Sequence, residues 1–214
     1  MKIISENDRY RITYESGDNN TLVIAFTGIE LRLGEIQKEE FQKTLHSTSK
    51  NNHICYVIDK QRSWYNFIEP EIIEKLNQLI EKISAKKVVT LGNSMGGYGA
   101  IIFAVKLKNC STAIAFCPQY SVNPSITPFE TRWAQYRDNL TEFLTNDVST
   151  EISDKITYNI FFGNLEKRDK KHCRLFEELT RDNLKIHIIK GSSHNVAGHL
   201  KEQGKLVEVI MGLI

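Results

Sequence analysis

Seven consecutive residues constrain this chain more than any other stretch: Leu91-Gly92-Asn93-Ser94-Met95-Gly96-Gly97. Just before them, Lys87-Val88-Val89-Thr90-Leu91 is a β-branched run that reads as a buried strand. Just after them, Tyr98 to Leu107 is apolar on nearly every face, the pattern of a buried helix. A strand, a glycine turn and a buried helix in immediate succession hold a serine on a tight turn, with its hydroxyl clear of the sheet. Gly92 and Gly96 lack a Cβ, so neighbouring backbone can approach that turn closely. The Met95 amide, at the helix start, points to where negative charge would form on a carbonyl under attack. Gly-x-Ser-x-Gly alone also describes an ordinary turn with a capping serine. The flanking strand and helix are what select the nucleophile reading here.

Around this unit, apolar runs and helical patterns alternate. Arg9–Tyr14 alternates polar and apolar residues, as an edge strand does, and ends in the turn cluster Gly17–Asn20. Thr21–Phe26 and His53–Ile58 are continuous apolar runs, expected of strands covered on both faces. Leu33–Leu45 is polar with spaced apolar positions and predicts a surface helix. Glu69–Ile83 repeats apolar residues at helical spacing, with Pro70 in its first turn. Thr112–Phe116, Ile156–Phe162 and Leu184–Ile189 are further strands. Asp169 is placed to cap a helix running to Arg181, and Leu200–Ile214 predicts a terminal helix. The alternation predicts an α/β fold: a mostly parallel sheet with helices on both faces, a three-layer α/β/α sandwich. The 214 residues fit a single domain, 1–214, in which Phe129–Leu144, within the segment 118–150, reads as one or two helices with an aromatic face, either a small cap or a plain packing helix.

In such a sheet, reactive groups collect at the carboxyl ends of the strands. Four strand ends carry relevant groups: Gly28, Ser94, the loop holding Glu166 and Asp169, and His194. A serine hydroxyl needs a base that titrates near neutrality, and imidazole fits best. Among six histidines, His194 alone follows the last strand in a Gly-Ser-Ser-His-Asn turn. His199 is its near competitor but falls where a helix should start, and His172 reads as a surface residue in a first helical turn. The base in turn needs a carboxylate to fix its tautomer and stabilise the imidazolium. Glu166 lies closer to the strand end and Asp169 has the commoner residue type, which favours Asp169 by a small margin. Trp64 and Tyr65, in the loop after the second of the apolar runs, either cover the core edge or form a substrate wall.

The order serine, acid, histidine resembles that of the α/β-hydrolase superfamily, over about Thr21 to the C-terminus. The resemblance rests on Gly92-Asn93-Ser94-Met95-Gly96, the acid loop and Gly191-Ser192-Ser193-His194. It implies a triad of Ser94, His194 and Asp169 or Glu166, with an oxyanion hole from the amides of Met95 and of Gly28 or Ile29. The chain departs from lipase-type members in having neither a His-Gly-Gly-Gly stretch nor a long lid. Its compact size, the Trp64-Tyr65 loop and Gln119-Tyr120-Ser121 also resemble bacterial proteins tied to surface-polysaccharide synthesis, some of them O-acetyltransferases. That resemblance adds Tyr120 to the substrate-binding candidates.

These readings converge on a serine esterase or thioesterase acting on a small-molecule or glycan ester. The alternatives are an O-acyltransferase, which would add acetyl-CoA as co-substrate, and a non-catalytic module of the same fold. No cofactor or metal is implied, because the four cysteines match no metal-ligand spacing and read as free thiols. A formal net charge of +2 argues against a nucleic-acid or membrane surface. The N-terminus lacks the apolar core of a signal peptide and no run reaches membrane-spanning length, so the expected location is the cytoplasm.

Overall fold

A computed structural model describes residues 1–29, 38–48 and 51–214. Eight strands form one sheet: β1 (Lys2–Glu6), β2 (Tyr10–Glu15), β3 (Thr21–Phe26), β4 (His53–Asp59), β5 (Lys87–Asn93), β6 (Cys110–Phe116), β7 (Thr157–Gly163) and β8 (Leu184–Ile189). Their spatial order is β1-β2-β4-β3-β5-β6-β7-β8. The two pairings at the β1 end are antiparallel and the other five are parallel. The helices are α1 (Gln42–His46), α2 (Glu69–Lys82), α3 (Met95–Ala104), α4 (Ala134–Arg137), α5 (Lys167–Glu177), α6 (Val196–Glu202) and α7 (Leu206–Met211), with a 3-10 turn at Val148–Glu151.

The central strands are the continuous apolar runs, and both of their faces are buried: every residue of β4 is buried, and all of β3 after Thr21. Helix α3 has all ten residues buried, and it lies against β5, β6 and β3. Its uniform apolarity follows from that position. In contrast, α2 buries one stripe, Ile72, Leu76, Leu79 and Ile80, and its Pro70 stands in the first turn, where a missing amide leaves no helical bond unmade.

Register levels the strand ends that matter. Phe26 pairs with Gly92, Asn93 with Phe116, Phe116 with Phe161, and Gly163 with Ile189. The segments leaving β3, β5, β6, β7 and β8 therefore emerge along one edge.

Four local expectations change. Lys2–Glu6 is a strand, so β2 is an inner strand and the exposed β1 takes the edge. Of the surface helix expected over Leu33–Leu45, Gln42–His46 is helical, while residues 33–37 lie outside the described residues. The terminal helix is two helices, because Gly204 adopts φ 72° between them. Phe129–Leu144 forms only the one-turn α4. Its apolar residues Trp133, Tyr136, Leu140 and Phe143 are partly buried against the core, which explains their apolar character without a long helix.

Candidate active site

Ser94 stands between β5 and α3 with φ 54° and ψ −118°. A side chain is rarely held there, and such strain persists only where surrounding contacts dictate it. Two glycines supply those contacts. A Cβ on Gly96 would lie 2.0 Å from the carbonyl oxygen of Phe26, and one on Gly92 would lie 2.0 Å from that of Gly96. The turn is thus pressed against the end of β3, and the Ser94 amide continues the sheet by donating to Phe116 O at 2.8 Å.

The serine side chain is nearly enclosed, with only 5% of the residue exposed. His194 Nε2 lies 3.0 Å from Ser94 Oγ, and His194 Nδ1 lies 3.0 and 2.9 Å from the two carboxylate oxygens of Asp169. A carboxylate accepts and does not donate, so the Nδ1–H tautomer satisfies this pair and leaves Nε2 bare for the serine hydroxyl. Asp169 is 1% exposed. Burial raises its pKa, but the His194 hydrogen bond and the charges of His194 and Arg132 outweigh burial and hold it below the usual value.

Of the two candidate acids, Asp169, the one favoured by a small margin, is on His194, and Glu166 caps the helix. Glu166 is the N-cap of α5 and accepts from the Arg168 amide at 3.1 Å. Asp169 sits in the first turn of the helix, with its carboxylate on His194 instead of capping. His199 falls in the last turn of α6, with its Nε2 on Gln203.

Behind Asp169 lies a set of charges that sequence reading missed. The Arg132 guanidinium donates to Asp169 Oδ1 at 2.8 Å and, through Nε, to Glu130 Oε1 at 2.9 Å. It also lies 2.8 Å from His194 Nδ1; with the Nδ1 proton turned to Asp169, this is a close approach of two donors. Glu130 in turn accepts from His172 Nε2 at 3.0 Å, and His172 Nδ1 accepts from the Tyr120 amide at 3.1 Å. His172 is therefore not a surface residue: it is fully buried, and burial lowers its pKa despite the neighbouring Glu130. For Glu130, burial acts upward, yet the His172 and Arg132 bonds bring its pKa well below the ordinary carboxylate value. Glu-x-Arg carries no recognisable spacing. Only the return of the 118–150 segment over α5 assembles these partners.

Tyr65 and Trp64 do not form a substrate wall. Asp59, fully buried, accepts from the amides of Gln61, Ser63 and Tyr65 and so folds the loop inward. Tyr65 is completely buried with its hydroxyl on Thr27 O at 2.8 Å. Trp64 is buried too, and its indole N–H donates to Gln119 Oε1 at 3.0 Å. Tyr120 packs edge-on against Phe176 of α5, away from the serine; its amide is what serves the site.

Met95 opens α3, so its amide has no intrahelical partner. The Gly28 amide donates to Glu40 Oε1 at 3.1 Å, which takes it out of the pair of oxyanion candidates and leaves Ile29. An open cavity of about 860 Å³ adjoins these strand ends, lined by Thr27, Asn93 and Asn195 beside α1 and α6; neither Ser94 nor His194 lines it. Among the described residues, one set of candidate metal ligands converges, Cys117, Asp169 and His194, within 4.8 Å. Asp169 and His194 already bond each other, and burial drives the Cys117 thiol far above its usual pKa, so the sulfur is not a ready thiolate ligand.

The strand order, the serine turn after β5 and the histidine after β8 define the α/β-hydrolase fold, and this chain adopts it. No protein-family model matches the sequence, and no curated protein sequence matches it. Solved structures do. The capsule O-acetyltransferase of Neisseria meningitidis serogroup A aligns over 95% of this chain and 93% of its own, with TM-score 0.66 and 16% identity. A variant of that enzyme in complex with CoA aligns with TM-score 0.65, over 94% of this chain and 93% of its own, at 16% identity. MenH from S. aureus aligns over 96% and 97%, with TM-score 0.58 and 14% identity. Esterase B from Lactobacillus rhamnosis aligns over 95% and 78%, with TM-score 0.67 and 13% identity. Among the described residues no helix is long and apolar enough to cross a membrane.

Proposed function

We propose that this chain is an acyl-transfer enzyme, a serine esterase or thioesterase in which Ser94 is the nucleophile, His194 the base and Asp169 its carboxylate partner. The observation that carries the proposal is the unbroken line from Ser94 Oγ to His194 Nε2 at 3.0 Å and from Nδ1 to Asp169 at 2.9 Å, beginning on a strained serine. As Oγ bonds to the acyl carbon, its proton passes to Nε2, and the carbonyl π electrons move onto oxygen. Met95, the first residue of α3, has an amide with no intrahelical partner to offer that oxyanion, and Ile29 is the second candidate donor. Collapse expels the leaving group, which takes the proton from His194, and water then releases the acyl group by the same steps in reverse.

A second reading is acyl transfer to a glycan hydroxyl in place of water, with acetyl-CoA as donor. It draws support from the fold shared with a capsule O-acetyltransferase and from a serine only 5% exposed, since transfer requires that water be kept from the acyl-enzyme. In the first reading the substrate is a small-molecule or glycan ester or thioester, in the second acetyl-CoA serves as co-substrate to a glycan hydroxyl, and neither calls on a resident cofactor or metal. The segment 118–150 then acts as a small cover on a single three-layer domain, and four unpaired cysteines fit a reducing cytoplasm.

A fluorophosphonate probe and a nitrophenyl ester test the nucleophile. Labelling and turnover should both vanish in Ser94→Ala, with turnover falling about 10⁴-fold or more while the fold stays intact. Turnover within tenfold of the parent would remove Ser94 from the mechanism. Release of CoA from acetyl-CoA that depends on an added glycan acceptor would select transfer over hydrolysis.

A further inference from the structure

Gln119 is buried (1% exposed) beside the nucleophile, and its amide can face only one way. The Trp64 indole N–H donates and never accepts, so it claims the amide oxygen, at 3.0 Å. The amide nitrogen is thereby turned to Ser94 Oγ, at 3.3 Å. Trp64 is itself held by the loop that Asp59 organises, where Arg62, Trp64, Tyr65 and Phe67 all adopt positive φ. A strained loop, a buried indole and a buried amide are thus arranged in series, and the series ends on the reacting oxygen.

We propose that Gln119 is a catalytic residue, a side-chain donor to Ser94 Oγ itself, distinct from the amides facing the substrate carbonyl oxygen. The assignment rests on Ser94 being the nucleophile. Oγ donates its proton to His194 Nε2 and has two lone pairs, of which Gln119 engages one and the other attacks. The Gln119 bond therefore persists while Oγ loses its proton to His194 and bonds to the acyl carbon. In the second half of the cycle, the bond between acyl carbon and Oγ breaks, its electron pair returns to Oγ, and His194 reprotonates it. Negative charge builds on Oγ in both halves, and a fixed neutral donor lowers its energy at each.

The experiment is single-turnover acylation by a nitrophenyl ester, with the deacylation rate and the melting temperature measured alongside. Gln119→Leu should slow acylation and deacylation together by about 30-fold, less than loss of a close oxyanion donor because the bond is long. Gln119→Glu keeps the shape but presents an acceptor to Oγ, drawing the hydroxyl proton away from His194, and should be slower still. Should the leucine variant fold poorly, Trp64→Phe removes the indole donor and frees the amide to turn, lowering both rates several-fold. Unchanged rates in a folded Gln119→Leu protein overturn the proposal. A raised KM with unchanged acylation rate also overturns it, since that marks substrate contact. Ser94→Ala separates the two claims: a silent serine variant defeats the nucleophile reading, whereas an inactive one beside a fully active Gln119→Leu defeats only this proposal.

Discussion

The two carboxylates that follow β7 differ in what each faces, and a single-atom change distinguishes them. Asp169→Asn preserves shape, but its amide group no longer fixes the Nδ1–H tautomer or stabilises an imidazolium. Turnover of the nitrophenyl ester should fall about 10⁴-fold. Glu166→Gln removes only charge from a helix cap whose acceptor oxygen survives, so its rate should stay within about twofold of the parent. A crippled Glu166→Gln beside an active Asp169→Asn would move the acid to Glu166. Arg132 behaves differently from both, because it stands between two buried carboxylates, Glu130 and Asp169. Arg132→Met leaves both without their cation, and denaturant unfolding should show a loss of about 3–5 kcal/mol. Combining it with Glu130→Gln should restore part of that loss. A loss below about 1 kcal/mol in the single variant would mean that the carboxylates find other compensation.

Among the elements, the junction of β5 and α3 is fixed by how closely backbone meets backbone. The Gly96 position against Phe26 O leaves no room for a methyl group, and the obstacle is a strand carbonyl that cannot swing aside. Gly96→Ala should destabilise the protein by about 3 kcal/mol, at the upper end of overpacking effects. It should also abolish fluorophosphonate labelling, because relief of the clash has to move Ser94. Full labelling in a stably folded Gly96→Ala protein would contradict the tight elbow. The same reasoning explains why α3 tolerates so little polarity, since all ten of its residues are buried against three strands.

At the scale of the whole molecule, the buried charge set makes stability depend on pH in two stages. The folded pKa of His172 lies below its ordinary 6.5, so the unfolded chain takes up this proton first and stability falls as pH drops below about 6.5. His187, lowered chiefly by burial and also by Lys185, acts in the same sense. Glu130 and Asp169 are depressed from 4.5 and 3.8, so their contribution is complete above those values and is lost as pH falls further. Urea midpoints measured from pH 8 to pH 3 should hold steady above neutrality, decline through pH 6 and decline more steeply below about pH 4.5. His172→Gln should reduce the first decline to the part that His187 contributes. A midpoint independent of pH between 7 and 5 would contradict the buried neutral histidine.

What the sequence determined by itself was whatever is encoded within one element and its turn. Runs such as Thr21–Phe26 and His53–Ile58 read as doubly covered strands and are, and the glycines around Ser94, between a strand and a buried helix, read as a tight elbow. The order of Ser94, Asp169 and His194 was legible because each follows its own strand, and parallel strands bring their carboxyl ends together. Between Asp169 and Glu166 the sequence favours Asp169 by only a small margin, because either carboxylate can cap a helix and the helix start is not marked. Glu166 takes the extended N-cap position, Asp169 falls in the first turn, and packing decides which one meets His194. Glu130, Arg132, His172 and Gln119 were hidden for a related reason. Apart from the Glu130–Arg132 pair itself, their partners lie 25 to 62 residues away, as Gln119 to Ser94, Trp64 to Gln119 and Arg132 to His194 show. A hydrogen bond or ion pair over such a span leaves no local periodicity, and it exists only once the segment after β6 has folded back over the strand ends.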